Sequence, residues 1–500
     1  MKYLLGIDNG GTFSKAALFD EKGNQIWISS RKTEVYIPKP GYMERNLFDL
    51  WKINLEIIKE VIEKSNIDVK NIVGVSFSGH GKGLYLIGKD NKPLRNGILS
   101  TDTRAWKYVD KWKKDGIEDK VRAITCQSIV PCHPAAILAF LKENEKDTFE
   151  NIKYIFSVND YIRFMLTGKA YSEYSNASGN NFINLKNHKY DKELLKLYGL
   201  EEIEDKLPPL KRSDEICGYI TKDVSMKTGL KENTPVVAGL FDIDACAIAT
   251  GISDETKVCM IAGTWSINEY ISKSVVKNVL TTANSIFCID GYYLIEESSA
   301  TSAGNLEWFI RNILDRDYQV ERDNIYNLVN KLVNSVDPSD SNIYFLPYLN
   351  GSPNNAKAKG CFIGLGMENT KAHMLRAIYE GVAFSHMMHL ENLMKNKKNI
   401  NKIRLSGGVI NSKEWVQIFA DIIQIPIEIV EGKELGTLGA AMSAGVACGI
   451  YNDFEDAIEK CVRFRKTIYP REKYKAIYSE KYIKYKYIVN NLNNMWNFIE

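Results

Sequence analysis

The sequence predicts an α/β protein built from two large domains. Three observations carry that expectation. The chain has 500 residues, more than a single hydrophobic core organises. Apolar runs of strand length alternate with segments of helical period. A strand–turn–strand pattern with Gly11 and Thr12 at its tip is echoed by another with Gly263 and Thr264. Two similar halves facing each other would bring both tips to one cleft. The boundary is set near residue 245, giving domains 1–245 and 246–500.

The elements follow in order. In LLGIDNGGTFSKAALFD, residues 4–20, an apolar run ends at Asp8, glycines turn the chain, and alternation resumes from Lys15 to Phe19. That is a β-hairpin with polar groups at its tip. Residues 46–65 repeat Leu47, Leu50, Trp51, Leu55, Ile58 and Ile62 at helical spacing. IVGVSFSG, 72–79, reads as a buried strand, and GLYLIG, 83–88, as its partner after a short turn. Residues 103–170 are mostly helical in pattern, and 171–210 are irregular and rich in Asn, Ser and Pro. TPVVAGL, 234–240, is a strand, and AGTWSINEYIS, 262–272, is the second strand–turn–strand. A long helix covers 375–393, and NKIRLSGG, 401–408, is a strand ending in a glycine turn. LGTLGAAMSAGVACGIY, 435–451, is a helix of small residues suited to close packing on a sheet. The Lys- and Tyr-rich C-terminal stretch reads as a solvated final helix.

Composition narrows the function. The net charge of +3 gives no argument for nucleic acid. Nine cysteines without a CxxC pair fit reduced thiols and a cytoplasmic setting. The short apolar run before Asp8 does not read as a signal peptide, and no stretch has the roughly 20 apolar residues of a membrane span.

The hairpin tip carries the chemistry. Glycines let backbone N–H groups approach an anion, and a threonine hydroxyl can donate to a phosphate oxygen. An aspartate beside phosphates implies a hard cation between them, with Mg²⁺ the usual one. Asp8, Gly11, Thr12 and Lys15 therefore read as a Mg–nucleotide corner, with a plain hairpin turn as the alternative. Neither the P-loop nor the dinucleotide fingerprint occurs. In GLFDIDACAIATG, 239–251, Asp242 ends an apolar strand and needs hydrogen bonds, a metal or a catalytic task. Helix capping is the alternative for Asp242 or Asp244.

With DNGGT, the AGT tip and GCFIGLGMENTKAHMLRAIYE, 360–380, the sequence resembles the FGGY carbohydrate kinases over nearly its whole length. The resemblance implies two actin-like/hexokinase-like (ribonuclease H-like) ATPase domains facing a central cleft, with ATP and Mg²⁺ as cofactors. It implies Asp8 and Asp242 at the Mg²⁺, with Asp242 also the catalytic base at the sugar. Gly11, Thr12, Lys15, Gly263 and Thr264 would hold the phosphates. Ala303 and Glu307 would line the nucleotide site, and Gly407, Gly408 and Asn411 would border the adenine. SGG is otherwise a simple strand-to-helix turn.

On the acceptor side, SGHGKGL, 78–84, offers Lys82 and His80 to sugar hydroxyls. STDTRA, 100–105, resembles the family's WxDxR turn with Ser100 replacing Trp. There Asp102 would accept hydroxyl protons and Arg104 would lock the loop. Glu44, in GYMERN, is a lesser candidate. His133 falls where the family often has an aromatic sugar contact. The GKG turn, Ser100 and TSAGNLEWF resemble the bacterial branch of the family that acts on L-xylulose. Erythritol, ribulose, D-xylulose or glycerol are the alternative acceptors, and a non-metabolic actin-like ATPase or a regulator without catalysis are the rival classes. His386 and His389 lack a third ligand in the sequence and read as helix-face residues rather than a metal pair. The reading admits a homodimer.

Overall fold

The opening strand Tyr3–Asn9 is buried on most of its residues because it has neighbours on both edges. It pairs antiparallel with Phe13–Asp20 and parallel with Ile72–Gly79. The sheet then runs outward through Gln25–Lys32 on one side and through Pro235–Val237 and Ile216–Tyr219 on the other. Parallel strands covered on both faces read as continuous apolar runs, as IVGVSFSG does. The helix Leu47–Lys64 is capped by Asn46, whose side chain accepts from the N–H groups of Phe48 and Asp49. Its apolar stripe brings Leu50, Ile57, Ile58 and Val61 into one core with Leu5, Ile7, Leu18, Val75 and Phe77. The computed structural model describes every residue except 278–281, 315–321, 353–354, 356, 396–398, 433 and 499–500.

One pairing differs from expectation. Tyr85–Gly88 does not pair with Ile72–Gly79; it pairs antiparallel with Ile152–Phe156. Both edges of Ile72–Gly79 are taken, by Tyr3–Asn9 and by Pro235–Val237 followed by Leu240–Phe241. The turn between the two strands also leaves the sheet, with Lys82 and Gly83 both at positive φ.

The chain divides into two compact units. The first gathers Met1–Ser253, Ile271–Ile295 and Glu434–Val462; the second gathers Asp254–Tyr270, Glu296–Lys433 and Arg463–Glu500. A cut near residue 245 falls close to the end of the first segment, and two later segments join it. The last of these carries the helix Leu435–Ala447, which packs on the first sheet. Its small residues allow this: a Cβ on Gly6 would overlap the carbonyl oxygen of Thr437, and one on Gly439 would overlap that of Ala245.

The second unit repeats the plan. Lys257–Ala262 pairs antiparallel with Ser266–Ser272 and parallel with Lys402–Ser406, which continues to Ile427–Val430 and Phe464–Ile468. The final helix Lys475–Leu492 departs from the solvated reading. Tyr478, Tyr482 and Tyr485 are buried around Phe384, and Lys481 donates to the carbonyls of Pro338 and Ser341. The Lys481 ammonium is also paired with the buried Glu380 carboxylate at 2.5 Å, and a charge with such partners can be buried, which spacing alone does not reveal. All nine cysteines are free thiols. Among the described residues, no helix is long and apolar enough to cross a membrane.

The helix–sheet contact makes a prediction. Gly6→Ala is expected to destabilise the fold by at least about 1–3 kcal/mol, the cost of overpacking, because backbone rather than a flexible side chain blocks the methyl. Gly11→Ala, with nothing within 4 Å of the added carbon, is expected to unfold like wild type. Urea denaturation of both variants checks this, and equal midpoints would refute it.

Candidate active site

The first hairpin tip is held from inside. Arg45, only 2% exposed, donates to the carbonyl oxygens of Gly10 at 3.3 Å and Gly11 at 2.6 Å. Across a planar trans peptide, C=O and N–H point in opposite directions. The N–H groups of Gly11 and Thr12 therefore point away from the buried guanidinium, on exposed residues. The Thr12 carbonyl is also occupied, accepting from Thr33 N–H at 2.9 Å. What the tip presents is donors, as an anion requires. Arg45 was not legible as a site residue; its neighbour Glu44 in GYMERN was the one singled out.

Behind the tip stands Asp8, directly across the strand pair from Lys15. Ser78 donates to Asp8 Oδ1 at 2.7 Å. Burial pushes the Asp8 carboxyl above its ordinary range, with the Ser78 hydrogen bond and Lys15 opposing. A cation at this carboxylate would offset the same cost, so Asp8 fits a Mg²⁺ site of the kind that uses one or two carboxylates and otherwise phosphate and water. The Lys15 ammonium is 2.6 Å from Glu434 Oε2, a partner the sequence did not suggest.

Asp242 reaches the same end of the sheet. Leu240 and Phe241 pair with Ser78 and Gly79, the residues that on their other edge pair with Asp8 and Asn9. The two flanking backbones are thus roughly 10 Å apart, twice the strand spacing. Asp242 then opens the helix Asp242–Ala249, half-buried, with Phe241 at the cap position. Asp244 is fully buried, and burial pushes its carboxyl well up, with Glu173 next among the causes.

In the second unit a cavity of about 650 Å³ is lined by Gly263, Thr264, Ala303, Glu307, Gly408 and Asn411, all expected nucleotide contacts. Gly407, the other candidate in this unit, is not among the lining residues. Its φ is +92°, and a Cβ there would lie 2.5 Å from the Ala262 carbonyl oxygen. Only glycine lets the turn after Lys402–Ser406 approach the second hairpin so closely. The sequence reading missed the aromatic part of the lining. Tyr379 and Trp415 stack with centroids 4.2 Å apart and planes at 11°. Asn330 Oδ1 accepts from Tyr379 Oη at 2.8 Å and Ser412 Oγ at 2.7 Å. The volume is within the range of small-molecule sites, and a flat aromatic wall suits a purine.

The acceptor candidates separate into two groups. Asp102 is an internal anchor: it accepts from Met43 N–H at 2.7 Å, Arg104 N–H at 2.9 Å, Arg104 Nε at 3.0 Å and Arg104 Nη2 at 2.9 Å. A carboxylate offers about four lone-pair sites, and its side chain is 0% exposed, so little capacity remains for a sugar. Glu44 accepts from Arg104 Nη2 at 2.8 Å and is paired with Arg95. Arg104 thus locks the loop, with its guanidinium 4.2 Å from the Tyr42 ring centre. His80 has both nitrogens engaged, with Gly81 O at 3.1 Å and Tyr85 Oη at 2.9 Å. Burial, and next the Arg45 charge, hold it at about 4 and hence neutral.

Lys82 and His133 form the second group. Lys82 takes φ +61° and its N–H donates to Asn180 Oδ1 at 3.0 Å. Gly83 N–H donates to Cys132 O at 2.8 Å, which brings the turn to His133. Phe241 joins them to the catalytic candidate, because a Cβ on Gly81 would lie 2.5 Å from its ring and one on Gly179 would lie 3.4 Å away. His386 and His389 lie elsewhere, buried and bonded to Ser266, Asn268, Ser302, Glu297 and Ser299.

The fold is mixed α/β, with a glycine–threonine hairpin in each unit and a cavity of small-molecule size in the second; its relatives make it a phosphotransferase. The chain belongs to the FGGY family of carbohydrate kinases: the family's N-terminal domain matches residues 3–249 and its C-terminal domain residues 258–448. It is 38% identical over 498 residues to a probable L-xylulose kinase of Pasteurella multocida, covering 99% of this chain and 100% of that one. It is 35% identical over 489 residues to the L-xylulose/3-keto-L-gulonate kinase of Escherichia coli, covering 98% and 97%. The solved ligand-bound xylulose kinase of Lactobacillus acidophilus superposes with a TM-score of 0.93 at 25% identity over the whole of both chains. The fold is therefore that of the FGGY sugar kinases, of the actin-like ATPase type.

The Asp102 geometry is checked by stability rather than activity. Asp102→Ala leaves Arg104 short of its main partner and is expected to cost about 3–5 kcal/mol of folding stability, as broken buried pairs do. An unchanged melting temperature with a raised sugar KM would instead make Asp102 a direct contact.

Proposed function

We propose that this carbohydrate kinase transfers the γ-phosphoryl group of ATP to a hydroxyl of L-xylulose. The observation that carries the acceptor site is the packing of Phe241 on Gly81 and Gly179, which joins Asp242 to the Lys82–His133 cluster. Full-length likeness to proteins named L-xylulose kinase supports the sugar. In the reaction, the sugar hydroxyl gives its proton to Asp242 while its oxygen bonds to the γ-phosphorus. The bond from that phosphorus to the bridging oxygen breaks, and ADP leaves.

Gly11, Thr12, Gly263 and Thr264 would donate to the phosphates. Ala303, Glu307, Gly408 and Asn411, with Tyr379 and Trp415, would hold the nucleoside. Asp8 would hold Mg²⁺, with Asp242 beside it; bound there, the ion would neutralise phosphate charge. Lys15 would answer both Glu434 and the phosphates. His80 and Asp102 would support the acceptor turn and loop rather than touch the sugar. Nine free thiols support a cytoplasmic enzyme. A keto acid is a second acceptor to test, favoured by the Lys82 ammonium, which has no ion-pair partner among the described residues.

Two sets of measurements check this. An ADP-release panel of L-xylulose, D-xylulose, ribulose, erythritol, glycerol and a six-carbon keto acid should give L-xylulose the highest kcat/KM; ADP release independent of every sugar would sink the reading. Asp242→Asn is expected to fold and bind Mg–ATP but lose ~10²–10⁴-fold in kcat, the usual share of a general base. Thr12→Val and Thr264→Val should impair nucleotide use while sugar binding without nucleotide stays normal. If Asp242→Asn turns over normally and Asp244→Asn does not, the base is the other carboxylate.

A further inference from the structure

Beside the Gly81–Gly83 turn, two buried donors lack a partner among the described residues: Asn176 Nδ2 and His133 Nε2. Their residues are 2% and 1% exposed. Backbone N–H groups, which can only donate, settle how both side chains are oriented. Lys82 N–H donates to Asn180 Oδ1, so Asn180 turns its Nδ2 toward Asn176 and meets Asn176 Oδ1 at 3.4 Å. Asn176 is left with its amide nitrogen unused. In the same way, Val130 N–H donates to His133 Nδ1 at 3.1 Å. The ring is held neutral by burial, with the Lys82 charge adding to it, so its proton sits on Nε2. Asn181 Nδ2 also meets His133 Nδ1, at 3.2 Å, and this leaves Asn181 Oδ1 as an unpartnered acceptor.

The cluster is one construction. Lys82 and Gly83 are bonded to Asn180 and Cys132, and the next residues along, Asn181 and His133, are bonded to each other. Asn176 lies in the short helix Tyr174–Ser178, whose Ser175 Oγ accepts from Phe241 N–H at 2.9 Å, one residue before Asp242. Buried groups left unpaired are costly, so two such donors and one acceptor in a single bonded cluster call for a ligand that completes them. Two donors suit an oxygen that can only accept. One acceptor suits a hydroxyl. A carbonyl next to a hydroxyl, the α-hydroxy ketone of an open-chain ketose, offers both; a polyol has only hydroxyls.

We infer that Asn176 and His133 donate to the carbonyl oxygen of a keto sugar, which makes Asn176 a specificity-determining residue that selects ketoses over polyols. This rests on the acceptor site proposed above and narrows its substrate class. Loss of one buried hydrogen bond to a substrate is worth on the order of 10- to 100-fold.

The test compares L-xylulose with xylitol, its C2-reduced counterpart, using the full-length enzyme. Wild type is expected to prefer the ketose by at least on the order of 100-fold in kcat/KM, since a site built around such bonds rejects the mismatched group strongly. Asn176→Asp keeps the acceptor for Asn180 but replaces the donor with a carboxylate that repels a carbonyl oxygen. It should raise the L-xylulose KM about 10- to 100-fold and shrink the ketose-to-polyol ratio, with ATP KM unchanged. Asn176→Ala, the second variant, should show the same direction with a smaller loss. Wild type using xylitol as well as L-xylulose overturns the inference without any variant. So does an Asn176→Asp enzyme with an unaltered ratio. Wild type that phosphorylates neither sugar nor any other acceptor defeats the underlying kinase reading, and this inference falls with it.

Discussion

The first unit depends on one close contact, between the helix Leu435–Ala447 and the strand Tyr3–Asn9. Glycines make it possible on both sides. Gly6 admits the Thr437 carbonyl, Gly439 admits the Ala245 carbonyl, and a Cβ on Gly436 would lie 2.9 Å from Asp8 Oδ2. The helix therefore touches the strand that carries Asp8 and the helix that begins with Asp242. It also brings in Glu434, which takes the Lys15 ammonium. A segment more than 400 residues from the N-terminus thus fixes the backbone under both aspartates. Such a contact tolerates little adjustment, because interiors are packed as densely as organic crystals.

Around that frame, buried charge is used for position. Arg45 is spent on two hairpin carbonyls, and Arg104 on Asp102 and Glu44. Phosphoryl transfer leaves the protein little covalent work, so fixing donors in advance is the larger part of catalysis. Buried ion pairs are weak sources of net stability; here the Arg104 pairs hold a loop in one shape, and the Arg45 hydrogen bonds to carbonyls hold a tip.

The sequence made the repeated strand–turn–strand legible because glycine and threonine at a tip stand out against apolar strands. The same is true of the small-residue helix, whose composition announces close packing. What it hid is instructive. Tyr379 and Trp415 are far apart in the chain and look like ordinary apolar positions of two helices; only their stacking makes a wall. Asp102 looked like a hydroxyl acceptor because a carboxylate in a turn reads as available, and the four donors that occupy it come from Met43 and from Arg104 itself. The 85–88 strand was assigned a neighbour by proximity in sequence, yet that neighbour's edges were already filled. For the Tyr379–Trp415 wall and the 85–88 strand, the partners come from other segments of the chain, which periodicity does not encode.

The two hairpins show how one device serves twice with different supports. In each, the carbonyl of the tip threonine accepts a backbone N–H from another element: Thr33 to Thr12 at 2.9 Å, and Ser302 to Thr264 at 3.0 Å. Fixing that carbonyl orients the peptide after it and leaves the threonine's own N–H and hydroxyl uninvolved in the bond. Each turn is also closed by a glycine N–H, Gly10 on the Phe13 carbonyl at 3.0 Å and Gly263 on the Trp265 carbonyl at 3.1 Å, and the first adds Arg45 beneath its glycines. The first lies beside the half-buried Asp8 carboxylate; the second borders a cavity whose lining includes Tyr379 and Trp415. The duplicated topology thus supplies two similar glycine–threonine turns held by different partners, one beside Asp8 and the other at the rim of the cavity in the second unit.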